Sequence, residues 1–557
     1  MTETVRPLAA PLEDPFYYLR NMETVVRWVV EHHSDLLLAE ESAQLTHYLH
    51  LSRPARALLA RMLLRKGEHF RSDALQYTEI DDVRDALAEL SRAGFVDLQP
   101  HCDAATLHRL CRVAELRQLL AGRATPVATN LKKSELLSHL SALESAGQTL
   151  EVWWPQAPFS LVALACQALF DRLRVMFFGN VYQDWSEFVL TELGHQHYEP
   201  VEFSPSSRAF RTRREVDAAL ALAACQQTLE SSGDVRQALA ILPPPIDSDW
   251  LAYRRDKVIF QLALQAERAG DSALAVALYR TSRLEEACIR RLRLLEKSAE
   301  TSVLVAELER ALSSCRLPLS KLHLQRIESR VMRRVNAASA PKQKPQIDCA
   351  QLCLPASAHS AGLRVEQAVV QHLSAQPGIK VFYVENALFP GLLGLLCWDE
   401  LFSPLPGAFF HPFQAGPADL FRPDFVDRRR EALAARLSSL DSLVYQSTIR
   451  TVWQHKYGTA CRLVNWTALS DELLELALAL IPVADLRQIF AHLLSDLRHH
   501  RSGMPDLIEF DTAAQSYRLI EVKGPGDRLQ DHQTLWLQAF SAMGVEVSVL
   551  NVSYQPV

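Results

Sequence analysis

The stretch GMPDLIEFDTAAQSYRLIEVKG, Gly503–Gly524, decides the fold of the C-terminal part of the chain. Two apolar runs, LIEF and YRLIEV, flank the polar segment DTAAQS. That pattern predicts an antiparallel hairpin turning at Ala513–Ala514. The symmetry of the two runs then places Asp506 opposite Glu521, with side chains about 5 Å apart at Cβ. Glu521 and Lys523 are two apart and share one face of their strand. Two carboxylates and an ammonium group therefore converge within a single hairpin.

The neighbours Leu507, Ile508, Leu519 and Ile520 are apolar. Acids in such a setting are costly unless a cation compensates. Hard oxygen ligands suit Mg²⁺ or Mn²⁺. A bound metal makes a water more acidic and offsets charge on a phosphate. The residue types thus point to metal-dependent phosphodiester chemistry. Pro423-Asp424 is a second Pro-Asp pair, but no Glu-x-Lys strand follows it, so it reads as a helix-start or turn signal. Beyond the hairpin, RLQDHQTLWLQAFSAM predicts a helix and VEVSVLNV a strand. Upstream, a helix over 361–374 precedes the strand KVFYVEN. A helical stretch then runs to about 500. The C-terminal part reads as an α/β unit with a large helical insertion.

The whole chain has 557 residues and a net charge of −6. This length predicts several domains. The charge excludes a globally basic nucleic-acid binder, though not a local basic face. Ten cysteines are scattered without a Cys-x-x-Cys pair, which predicts free thiols and no zinc ribbon or finger. The most apolar runs fall short of the roughly 20 residues of a membrane span. No signal pattern opens the sequence, so an intracellular, soluble protein is expected.

From residue 15 to about 340, apolar residues recur at helical spacing, and the features suggest modules. Arg53, Arg56, Arg61, Arg65, Lys66 and Arg71 face a single acid, Glu68, for a local charge of +5 in an acidic chain. A helix ending at Gly94 and the short strand FVDL follow, as in a winged-helix-like unit. The basic run is either a phosphate-contacting face or a solvated helix surface. Two short amphipathic segments, LCRVAELRQLLAG and LKKSELLSHLSAL, resemble a SAP module, with Lys132 and Lys133 at the start of the second. They could equally form a plain helical hairpin. Gly270, Ala275 and Tyr279 stand at the offsets of one tetratricopeptide repeat. Arg326, Arg330, Arg333 and Arg334 follow at helical spacing, either beside DNA or on solvated surface. The expected domains are 1–104, winged-helix-like; 105–148, SAP-like; 149–335, TPR-like; 336–346, a Pro-containing linker; and 347–557, the α/β domain with its insertion at about 400–495.

The Pro-Asp strand followed by Glu-Val-Lys-Gly resembles the VRR-NUC branch of the PD-(D/E)xK nuclease superfamily. The chain as a whole resembles the bacterial Fanconi-associated nucleases. LSRPARALLARMLLRKGEHFR (51–71), FRTRREVD (210–217) and FSPLPGAFFHPFQAGPADLFRPDFVDRRR (402–430) carry the wider resemblance. It implies that Asp506, Glu521 and the Val522 carbonyl are metal ligands, joined by Glu366 from the first core helix. It implies that Lys523 orients or polarises the water. It matches Gln533 to a polar residue on the helix after the catalytic strands, whereas Trp536 reads as core. Glu509 and Asp511 are expected to face solvent. Arg498 and Arg501, in a basic run before the Pro-Asp strand, face either a phosphate or solvent.

The resemblance further implies a 5′-flap endonuclease and 5′-to-3′ exonuclease using Mg²⁺ or Mn²⁺ in DNA repair, including interstrand crosslinks. Its partners would be branched DNA: a 5′ flap, or nicked or crosslinked duplex. A monomer in the bacterial cytoplasm, associated with the nucleoid, is expected. Neither a membrane partner nor a ubiquitin-binding zinc finger is. The rival readings are a four-way-junction resolvase, an inert DNA-binding scaffold and a tetratricopeptide-type adaptor.

Overall fold

A computed structural model describes residues 14–122, 131–143, 147–183, 185, 197–334, 347–355 and 363–555. The expected linker 336–346 and parts of the SAP-like segment lie outside them. The chain forms two compact units, Met1–Gln196 with Phe210–Leu220, and His197–Ala209 with Ala221–Val557.

In the first unit, helices Tyr17–His33, Ala39–His50, Arg53–Leu63 and Val83–Arg92 pack beside a small sheet. Ser52 caps the third of them by accepting from Ala55 N, and Pro54 sits in its first turn, where no N–H is needed. The sheet has the order β1 (His69–Arg71), β5 (Leu161–Leu164), β2 (Val96–Asp97). β2 is the expected FVDL strand. β5 closes the sheet by pairing antiparallel with both neighbours. The expected boundary at 148/149 therefore falls inside this unit: a fully buried strand from beyond it completes the first sheet. A further two-stranded ribbon joins β3 (His101–Cys102) to β4 (Gln148–Thr149). The helices Val113–Gly122 and Lys133–Leu143 share a core of Leu116, Leu119, Leu120, Leu136 and Leu140.

The second unit contains the helical repeat region and the α/β domain. Helix Asp249–Arg268 is followed by Ser272–Thr281, and Gly270 turns between them at φ +86°. Ala275 and Tyr279 are buried. Helices Glu285–Ser298, Thr301–Ser314 and Pro318–Arg334 share a core of Leu292, Leu308, Ile327 and Val331.

The α/β domain is built on a five-stranded sheet in the order β6 (Asp348–Leu354), β10 (Val547–Tyr554), β9 (Ser516–Lys523), β8 (Leu507–Asp511), β7 (Ile379–Tyr383). β8 and β9 form the expected hairpin in the expected register, Leu507 opposite Ile520 and Asp511 opposite Ser516. β10 runs parallel to β9. A parallel pair needs a long connection, supplied here by helix Asp531–Met543. Edge strand β6, DCAQLCL, was not expected from its sequence; it pairs parallel with β10. One face of the hairpin (Ile508, Phe510, Leu519) packs on Trp536, Phe540 and the inserted helices. The other (Leu507, Ile520, Val522) packs on Val369 of helix Val365–Leu373. The insertion occupies the connection from β7 to β8, starting with helix Leu388–Leu396 and ending with Leu497–His500. It is therefore longer at both ends than 400–495.

Candidate active site

The hairpin register carries Asp506 and Glu521 to neighbouring positions at one end of the central strands. Val522 N donates to Asp506 Oδ2 at 2.8 Å, where the next ladder bond would otherwise form. Asp506 is 8% exposed and Glu521 0%, so neither acid is solvated as a surface carboxylate would be. Lys523 Nζ lies 2.8 Å from Glu521 Oε1 and donates to Gln533 Oε1 at 3.1 Å. Gln533 Nε2 donates to Glu521 Oε1 at 2.6 Å. The structure thus brings Asp506, Glu521, Val522, Lys523 and Gln533 together.

Burial pushes the Asp506 carboxyl up to about 6; Glu385 and Glu366 add to the rise, and the Val522 N–H opposes it. Burial, reinforced by Asp506, pushes Glu521 up to about 7 against the pull of Lys523. Glu521 Oε2 is buried and, among the described residues, has no hydrogen-bond partner. A buried carboxylate oxygen without a donor is costly, and it is the atom a cation would satisfy. These residues fit a divalent metal. Among the described residues no group of three or more acid, His or Cys side chains is placed to hold a metal ion by itself.

Glu366 comes from helix Val365–Leu373 on the other face of the sheet. It approaches closely enough to raise Asp506 electrostatically, and no direct bond joins them. Glu385 was not anticipated. It stands just beyond β7, accepts from the Tyr383 hydroxyl, and acts on both Asp506 and Glu521. The available signal was the acid closing KVFYVEN at a strand end. Asn386, beside it, takes a left-handed φ of 54° and accepts from Met504 N at 3.2 Å, bringing the two strand ends together. Trp536 is core, 1% exposed, and donates to His500 O. Glu509 corrects the solvent-facing expectation: it is buried and paired with Arg518 at 2.8 Å. Asp511 accepts from Ala513 N and Ala514 N in the hairpin turn.

The basic residues divide. Arg56 is paired with Glu23. Arg61 pairs with Glu79 at 2.5 Å and lies over the Tyr18 ring. Arg71 pairs with Asp73 and Glu115. Arg53, Arg65, Lys66 and Lys132 are exposed and Lys133 half-exposed. Arg53 stacks on Phe16, and Arg65 donates to Ala74 O. Arg498 pairs with Glu286 at 3.2 Å and lines a cavity with Tyr253 and Arg422. Arg501 lies exposed over the Phe421 ring. No described helix is long and apolar enough to cross a membrane, and all ten cysteines are free.

Comparison with known proteins places these features in a family. Residues 441–554 match the VRR-NUC domain and residues 16–97 the domain described as FAN1, HTH domain. A Fanconi-associated nuclease 1 homolog of Pseudomonas aeruginosa is 42% identical over 560 residues, covering 98% of each chain. A homolog from Oryza sativa subsp. japonica is 23% identical; the match covers 96% of this chain and 62% of the rice protein. A crystal structure of paFAN1 bound to 2-nt 5′-flap DNA with a gap matches with a TM-score of 0.86 and 41% identity, covering 98% of this chain and 100% of that one. With a relative this similar over nearly its whole length, the chain belongs to the Fanconi-associated nuclease family and carries that family's VRR-NUC nuclease domain.

Proposed function

We propose that this nuclease cuts branched DNA, with 5′ flaps as its preferred substrate, and that it acts in DNA repair, including repair of interstrand crosslinks. A nuclease domain of the PD-(D/E)xK type implies dependence on a divalent metal; the specific proposal is Mg²⁺ or Mn²⁺. Asp506, Glu521 and the Val522 carbonyl would hold it, with Glu366 and Glu385 close by. When bound, the metal supplies a more acidic water and offsets charge developing on the phosphate.

The chain's own residues have separate tasks. Glu521, fully buried beside Asp506, holds its proton up to about pH 7, and a bound cation would favour its charged form at lower pH. Lys523 Nζ, fixed between Glu521 and Gln533, orients the attacking water and steadies the phosphate oxygens. Gln533 holds both partners in place. Exposed Arg53, Arg65, Lys66, Lys132, Lys133 and Arg501 would contact DNA phosphates, giving selectivity for shape rather than sequence. Arg56, Arg61 and Arg71 are occupied by carboxylates, so their part would be to shape the basic face. Two structures of paFAN1 holding 5′-flap DNA support the substrate class. The observation that carries the reading is the partnerless, buried Oε2 of Glu521 beside Asp506.

The test is cleavage of end-labelled 5′-flap, 3′-flap and four-way-junction DNA with Mn²⁺. The 5′ flap should be cut fastest, within the duplex near the junction. Faster symmetric cutting of the four-way junction would favour a resolvase and overturn the flap reading.

A further inference from the structure

Gln533 sits in the first turn of helix Asp531–Met543 and touches both Glu521 and Lys523. What holds that turn is therefore a question about the active site. A helix start has N–H groups that need outside partners. Here Gln530 N donates to Gln533 Oε1 at 3.0 Å. The same oxygen accepts from Lys523 Nζ. The helix cap and the site share one atom, so the cap cannot anchor the helix independently of the site.

An independent anchor comes from the helical repeat region. Arg326 Nη1 lies 2.5 Å from Asp531 Oδ2, and Nη2 lies 2.6 Å from Oδ1. Two parallel charge-assisted bonds fix orientation as well as distance. Arg326 belongs to helix Pro318–Arg334, which is itself held. Leu324, Ile327 and Val331 are buried against helices 285–298 and 301–314. On its polar side Arg330 and Arg334 both pair with Glu296, at 2.8 and 3.3 Å. The Arg326–Asp531 pair is 41% and 40% exposed, and exposed pairs contribute little to folding. Its distinctive effect is orientation.

Resting on the proposed roles of Glu521 and Lys523, we propose that Arg326 is a positioning residue for the reaction. By gripping Asp531 it aims the first turn that presents Gln533 to Glu521 and Lys523. Misplacement by about 1 Å can cost up to ~100-fold in rate, so a pair that contributes little to stability can still govern turnover.

The experiment compares the full chain as wild type, Arg326→Ala, Asp531→Asn, the double variant and Arg326→Lys on 5′-flap DNA. Each single variant should lower kcat by about tenfold, with KM within about twofold and melting temperature nearly unchanged. The double variant should be no slower than either single, because both remove one interaction. Arg326→Lys, which keeps the charge but not the fork, should recover part of the rate. Unchanged kcat in the singles, or losses that multiply in the double variant, would overturn the proposal. So would a loss confined to KM with an altered salt dependence, which would make Arg326 a DNA contact. A wild-type protein that cuts no DNA would instead overturn the functional reading beneath it.

Discussion

Replacing Glu521 by Gln should make the metal-free protein more stable above neutral pH. Burial lifts the Glu521 carboxyl from 4.5 to about 7. Between those values the folded protein keeps a proton that the unfolded chain has released. Stability is therefore fully present below about pH 4.5 and falls as pH rises through about 7. At pH 8 the accumulated loss is about 3 kcal/mol. Gln has the same shape and carries no charge, so it avoids that loss. Its Oε1 can still accept from Lys523. Its amide nitrogen replaces the partnerless Oε2, and an unsatisfied buried donor costs about 1–2 kcal/mol. At pH 4.5 the donor cost dominates and the variant is about 1 kcal/mol less stable, whereas at pH 8 the net gain is about 1–2 kcal/mol. For a domain of roughly 150–250 residues this is about 2–8 °C in melting temperature. Calorimetric melts in EDTA at both pH values measure it. Added Mn²⁺ should reverse the order, raising the wild type and leaving the Gln variant almost unmoved. A variant no more stable than wild type at pH 8 in EDTA would refute the reasoning. So would equal stabilisation of both proteins by metal.

The raised carboxyls also couple metal binding to protons, so Mn²⁺ should bind more weakly at pH 6 than at pH 8 by calorimetry; pH-independent affinity would count against Asp506 and Glu521 as ligands. Gly503 takes φ +90°, and a Cβ there would lie 2.4 Å from the His532 ring and 2.8 Å from its backbone. Gly503→Ala should therefore displace the start of helix Asp531–Met543 and destabilise the protein by about 1–3 kcal/mol, seen as an earlier denaturant midpoint. Lys66→Ala should reduce the slope of log binding constant against log salt by about 1. Arg61→Ala, which breaks the Glu79 pair, should lower stability and leave that slope unchanged; the opposite pattern in a salt titration would reverse their roles.

How much the sequence revealed follows from which interactions are local. The hairpin register was legible because the two apolar runs lie symmetrically about Ala513–Ala514, and a one-residue slip of either strand would turn its acid away from the other. Glu521 and Lys523 were legible for the same reason. β6 was not, since DCAQLCL is an exposed edge whose partner β10 lies nearly two hundred residues away. β5 escaped assignment to the first sheet because nothing near Leu161 records its pairing with His69–Arg71. Glu385 was missed because its place in the site depends on β7 lying against β8. Spacing marked the basic residues well, but whether each is free depends on tertiary partners such as Glu79 and Glu115. Glu366 and Gln533 were identified through family resemblance, and the fold brings each near the hairpin acids by a different helix.

The most direct measurement is divalent-metal-dependent cleavage of end-labelled 5′-flap DNA by wild type and Asp506→Ala. Wild type should cut with Mn²⁺ and not in EDTA, while the variant should bind the DNA comparably and fail to cut it. Equal cleavage by the two proteins would contradict the assignment of the site to Asp506 and Glu521.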